Sequence, residues 1–97
     1  VAVIYNERAL ELLIAEYSEG RDKAIIECIK TDSVEPFKAF INSWKDKGVF
    51  PDCFELPSDE VLAISIRIMC LHCTNIAPEI KGQAVNWLLD HNYSLEM

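Results

Sequence analysis

Glycine and proline are scarce in this sequence, three and four residues among 97. That scarcity argues against a many-turned β architecture, which calls on both residue types wherever the chain reverses. Histidine is scarcer still, with two residues, so little imidazole is available for general acid–base work. Positive charge is also short: nine Lys and Arg stand against sixteen Asp and Glu, a net charge of −7. No three basic residues are consecutive. The clusters that release counterions from nucleic acid or hold an anionic membrane are therefore missing, and neither partner is expected to be bound directly. The longest apolar stretch, residues 61–73, is interrupted by Ser65, Arg67 and His72 and is too short to span a bilayer. The opening residues, Val1-Ala2-Val3-Ile4-Tyr5-Asn6-Glu7, lack the basic segment and cleavage site of a secretory signal. A cytoplasmic chain with reduced thiols and no cofactor is the expectation.

Apolar residues are plentiful, at 51% of the chain against 26% charged, enough to bury a core and to exclude intrinsic disorder. In residues 7–18, Leu10, Leu13, Ile14 and Tyr17 repeat at helical spacing after Asn6 as a candidate N-cap, and Gly20 reads as a stop. A short second helix over 22–30 would turn Ile25, Ile26 and Ile29 inward. Thr31-Asp32-Ser33 then offers three candidate caps. In residues 34–47, Phe37, Phe40, Ile41 and Trp44 form the clearest stripe, with Pro36 in the first turn and Gly48 at the end. These four side chains are expected to face the core and to pack on the helix that Ser58 opens. That helix is apolar nearly all round apart from Arg67, which marks it as the central one. Pro78 opens a last helix carrying Ile80, Ala84, Trp87 and Leu88, with Asn92 as its stop. The fold class expected is all-α: one small domain, residues 1–97, of about five helices packed around a central apolar helix at about 59–74. Residues 1–5 read as strand, helical extension or coil.

Residues 84–91, Ala-Val-Asn-Trp-Leu-Leu-Asp-His, resemble the last helix of a ubiquitin-associated domain, and Gly48-Val49-Phe50-Pro51 is loosely similar to that family's loop after its first helix. The match covers a small part of the chain. The family's Met-Gly-Phe/Tyr signature is absent, and the helix at 59–74 is too long for a compact three-helix form. The family is not carried further.

For chemistry, Cys70-Leu71-His72-Cys73 is the most suggestive run. Two thiolates and an imidazole could ligate a metal, with Cys53 or His91 completing the set, so Cys53, Cys70, His72 and Cys73 are the candidate ligands of a metal-binding or redox alternative. Their place late in an apolar helix favours one core thiol and one partly exposed thiol, with no metal bound. His72 and Cys73 are adjacent and diverge by about 100° on a helix, so they form no nucleophile–base pair. No phosphate-cradling loop or His-Glu-x-x-His helix occurs, and an enzyme is not expected.

Acids are concentrated in residues 1–35, eight against four bases, and in residues 46–60, five against one. A face of that kind can imitate nucleic-acid phosphates, the acidic DNA-mimic alternative, or serve solubility alone. Residues 49–57 form an unusually apolar loop. Its Phe50 and Phe54, ringed by Asp52, Glu55 and Asp59, are the expected partner-binding centre, since aromatic anchors inside a polar rim carry most binding energy. The same two rings could instead plug the end of the bundle. The reading that follows is a small acidic non-enzymatic protein that binds and modulates another protein, or forms a homodimer. Inhibitor, immunity and anti-defence factors of phages and bacteria share that size, acidity and helical character.

Overall fold

The computed structural model describes residues 7–93. The expectations for residues 1–5 lie outside them. Among the described residues four helices account for the architecture: α1 (Glu7–Thr31), α2 (Glu35–Asp46), α3 (Asp59–His72) and α4 (Pro78–Asp90). Among the described residues there is no strand, and no helix is long and apolar enough to cross a membrane. The all-α class is as expected, with four helices in place of five.

The difference lies at Gly20. The two helices expected over 7–18 and 22–30 are one continuous helix of 25 residues. Gly20 does not stop it; the residue gives room to a ring. A Cβ there would come within 2.7 Å of Phe40 Cε1, so glycine lets α2 approach α1 closely. Gly82, inside α4, has nothing within 4 Å of the corresponding position. The two glycines should therefore respond oppositely to alanine. At Gly82 the gain in helix propensity is unopposed and adds about 1 kcal/mol. At Gly20 the crowding of Phe40 outweighs that gain, for a net loss of about 1 kcal/mol. Melting temperatures of the two single variants, shifted up for Gly82→Ala and down for Gly20→Ala by roughly 4–8 °C, would check this.

The helix ends follow local chemistry. Ser58 Oγ accepts from the Val61 amide at 3.4 Å, capping α3. α1 ends in a Schellman arrangement: Asp32 adopts φ +50°, Ser33 N–H donates to Cys28 C=O at 3.1 Å and Asp32 N–H to Ile29 C=O at 3.4 Å. α4 repeats the device around Asn92, φ +63°, with Tyr93 N–H donating to Leu88 C=O at 2.8 Å. Ser33 has a separate task, its Oγ accepting from the Glu35 amide at 3.2 Å as α2 begins.

Central position belongs to α1 and not to the helix at 59–74, because α1 alone packs against all three other helices. Its C-terminal half supplies Ala24, Ile25, Cys28 and Ile29 to the core. From α2 come Phe37 and Ile41, from α3 Leu62, Ile66 and Cys70, and from α4 Ile80 and Ala84. α3 is apolar because it is pressed between α1 and α4; its composition reports burial, not centrality. The α2 stripe faces inward as expected, but its main neighbour is α1. Phe40 and Trp44 pack on Tyr17, with ring centroids 5.3 and 5.1 Å away.

Candidate protein-binding surface

Every residue of α1 from Glu7 to Glu16 is exposed, although the core uses the other end of the same helix. At 100° per residue, Leu10, Leu13, Ile14 and Tyr17 share an arc of about 100°. Leu12 points away from it. Exposure reaches 56% at Ile14 and 62% at Leu12. Beside this arc, Trp44 near the end of α2 and Val49 and Phe50 just beyond it complete a groove of about 420 Å³ whose walls are almost wholly apolar. The floor is ordered by aromatic packing. Tyr17 meets Trp44 edge-on at 88°, and Phe50 edge-on with centroids 6.3 Å apart. Lys47 Nζ lies 4.4 Å from the centre of the Trp44 ring and pairs with Glu16 at 3.1 Å, so its charge is neutralised beside the ring.

The loop nominated from sequence contributes part of this surface. Phe50 and Phe54 stack with centroids 5.0 Å apart and are half-buried against the core. Lys45 Nζ donates to the Phe54 carbonyl at 3.0 Å and fixes the loop onto α2. Asp52 and Glu55 are exposed on the same loop. Asp59 is drawn elsewhere: it pairs with Lys38 at 2.8 Å, and that pair raises the Lys38 pKa. Phe50 is thus shared between core and groove. The larger share of the apolar surface, Leu10, Leu13 and Ile14, comes from the stripe at the start of the first helix, which the sequence marks without assigning it to the binding centre. Their spacing is that of a buried stripe, and what tells the two apart is that no helix among the described residues covers this one.

The candidate metal ligands are not assembled. Among the described residues no group of three or more His, Cys, Asp and Glu side chains could hold a metal ion. Cys53 and His72 are exposed, whereas Cys70 and Cys73 are both buried, at 0% and 8% exposure; one core and one partly exposed thiol was the expectation. Cys73 Sγ donates to Asp22 Oδ1 at 3.4 Å, and Arg21 Nη2 lies 4.0 Å from the sulfur. A cavity of about 470 Å³ opens beside it, with His72 and Asn75 on its wall. Burial and the Asp22 carboxylate both push the Cys73 pKa up, so the thiol stays protonated and is a poor nucleophile.

Burial also raises Cys28, and it pushes Cys70 up to about 11. A raised pKa favours the folded state below the unfolded value and loses that contribution as pH climbs through the folded value. Stability should therefore fall as pH rises from 9 to about 11. Denaturant titrations across this range should show the fall, with a smaller slope in Cys70→Ala. At neutral pH iodoacetamide should modify Cys53 alone among the four thiols, monitored by intact mass; rapid loss of all four would contradict the burial.

A third cavity, about 450 Å³, lies between the end of α1 and the starts of α2 and α3. Arg67, which is 2% exposed, lines it and pairs with Asp32 at 2.6 Å. The guanidinium lies 3.9 Å from the centre of the Trp87 ring, which stacks on His91 and Tyr93. Tyr93 in turn donates to Glu60 at 2.8 Å. This arrangement ties α4 to α1 and α3. Glu35, Asp59 and Glu60 on the cavity wall oppose an anionic ligand. No protein-family model, curated protein or solved structure matches the chain.

Proposed function

We propose that this is a small acidic non-enzymatic protein that binds and modulates another protein, and that the groove between α1, Trp44 and Phe50 is the contact surface. The observation that carries this reading is the start of α1, where Leu10, Leu13 and Ile14 are exposed along one arc that no other described helix covers. A contiguous apolar surface on so small a chain is costly to leave in water, and such patches mark interfaces. Three of the four thiols, Cys28, Cys70 and Cys73, are buried away from reactivity, and Cys53 alone is exposed. Size, charge and helical character fit the setting of inhibitor, immunity or anti-defence factors, in which a small acidic chain acts by occupying a partner.

The test is cross-linking capture in the source cells, comparing the native chain with the double variant Leu10→Asp/Ile14→Asp. Both sites are exposed, so the variant should melt within about 0.5 kcal/mol of the native chain. A partner held by the native chain and lost from the variant is the expected result. Equal capture by both would reject the groove as the contact.

A further inference from the structure

The charges that surround the groove identify its occupant more closely, given the protein-binding reading. Along α1, Glu7 and Glu11 follow the Ile14 edge of the apolar arc and Glu16 follows the Leu13 edge, while Arg8 lies on the far side. Residues 7–19 hold four acids and one base, and residues 46–55, which carry the other wall, hold three acids and one base. The base in that wall, Lys47, is spent on Glu16. Lys45 is directed away to the Phe54 carbonyl. An apolar trough with acidic margins opposes a second copy of the chain. An antiparallel two-fold pairing would set the Glu7/Glu11 edge against its own copy, between molecules that each carry −7.

We propose that the groove receives an amphipathic helix of a partner protein, apolar along one face and carrying Lys or Arg on the flank that meets Glu7 and Glu11. The exposed stretch Glu7–Glu16 is about 15 Å long, room for about three turns of such a helix. Leu10, Leu13 and Ile14 would meet the apolar face, with Tyr17 and Trp44 closing the inner end, the usual arrangement of a helix laid in a groove. Glu7 and Glu11 would select the flank charge, which supplies partner choice and encounter rate more than raw affinity.

Two synthetic helical peptides of about 18 residues, five turns, test this by titration calorimetry against the full chain. Both carry the same leucine face at i, i+3, i+4 and i+7 positions; one has lysine flanks and the other glutamate flanks. The lysine peptide is expected to bind at least tenfold more tightly, with affinity falling as salt rises. Glu7→Gln/Glu11→Gln should weaken it threefold or more, and Leu10→Asp/Ile14→Asp should abolish binding. Equal affinity for the two peptides would overturn the charge inference and leave the protein-binding reading intact. Failure of both peptides to bind would count against both. Undiminished binding of the lysine peptide to the Leu10→Asp/Ile14→Asp chain would show mere attraction to an acidic surface and overturn the proposal. So would a dimer in sedimentation that Ile14→Asp converts to monomer, since the occupant would then be a second copy.

Discussion

Replacing Trp44 by alanine is expected to remove about 3–5 kcal/mol of folding stability. The side chain is 4% exposed and meets three partners: Tyr17 edge-on at 5.1 Å, Phe40 at 6.1 Å, and the Lys47 ammonium 4.4 Å from the ring centre. Truncation loses the buried area and leaves a cavity between α1 and α2 that the neighbouring rings can fill only in part. Small domains hold about 5–15 kcal/mol in total, so the variant should be close to unfolding at body temperature. Denaturant titration should show a lower midpoint with an unchanged slope. Ile14→Ala provides the contrast. The residue is on the same groove but 56% exposed, and its stability should change by less than about 0.5 kcal/mol. Comparable losses at the two sites would mean that the groove is part of the folding core and not a surface awaiting a partner.

That contrast also marks the boundary of what the sequence reveals. α2 could be read residue by residue: Pro36 in its first turn, the Phe37-to-Trp44 stripe inward, and Gly48 at φ +75° after its end. Ser58, Pro78 and Asn92 likewise act where their chemistry places them. Gly20 could not be read, because a glycine that ends a helix and one that admits a neighbouring ring look alike until Phe40 is known to lie 2.7 Å from its missing Cβ. Helical periodicity reports which side of a helix is apolar, not whether anything covers that side. The stripe of Leu10, Leu13 and Ile14 was therefore not singled out as a binding surface, and the binding centre was assigned to the 49–57 loop, of which Val49 and Phe50 line the groove. The choice of central helix failed for a related reason. Apolar composition at 59–74 follows from burial between two neighbours, whereas contact with every other helix depends on topology.

Arg67 is the residue whose surroundings were least legible, since its counter-charge comes from Asp32, 35 positions earlier in the chain. A marked asymmetry is expected between the two partners. Asp32→Asn should destabilise by about 1.5–3 kcal/mol, the range for a hydrogen bond to a charged group. Asparagine tolerates the left-handed backbone at φ +50°, so the change removes charge without disturbing the helix end. It would leave the Arg67 guanidinium, 2% exposed, without a counter-charge, supported by a neutral amide oxygen at position 32, the Ala63 carbonyl at 3.2 Å and the Trp87 face. Nε already lacks a hydrogen-bond partner, and burial lowers the Arg67 pKa against the pull of Asp32. Arg67→Met should behave differently. The carboxylate it leaves behind is 70% exposed and is satisfied by water, while the desolvation of a guanidinium and its unsatisfied Nε both disappear. Its cost should stay within about 1 kcal/mol, as for other buried ion pairs replaced by apolar side chains. Chemical denaturation of the two variants measures the difference directly. Equal stability of Asp32→Asn and the native chain would show that the ion pair contributes nothing. A loss at Arg67→Met as large as a core truncation would show that the guanidinium's contacts with Ala63, Asp32 and Trp87 outweigh the desolvation they require.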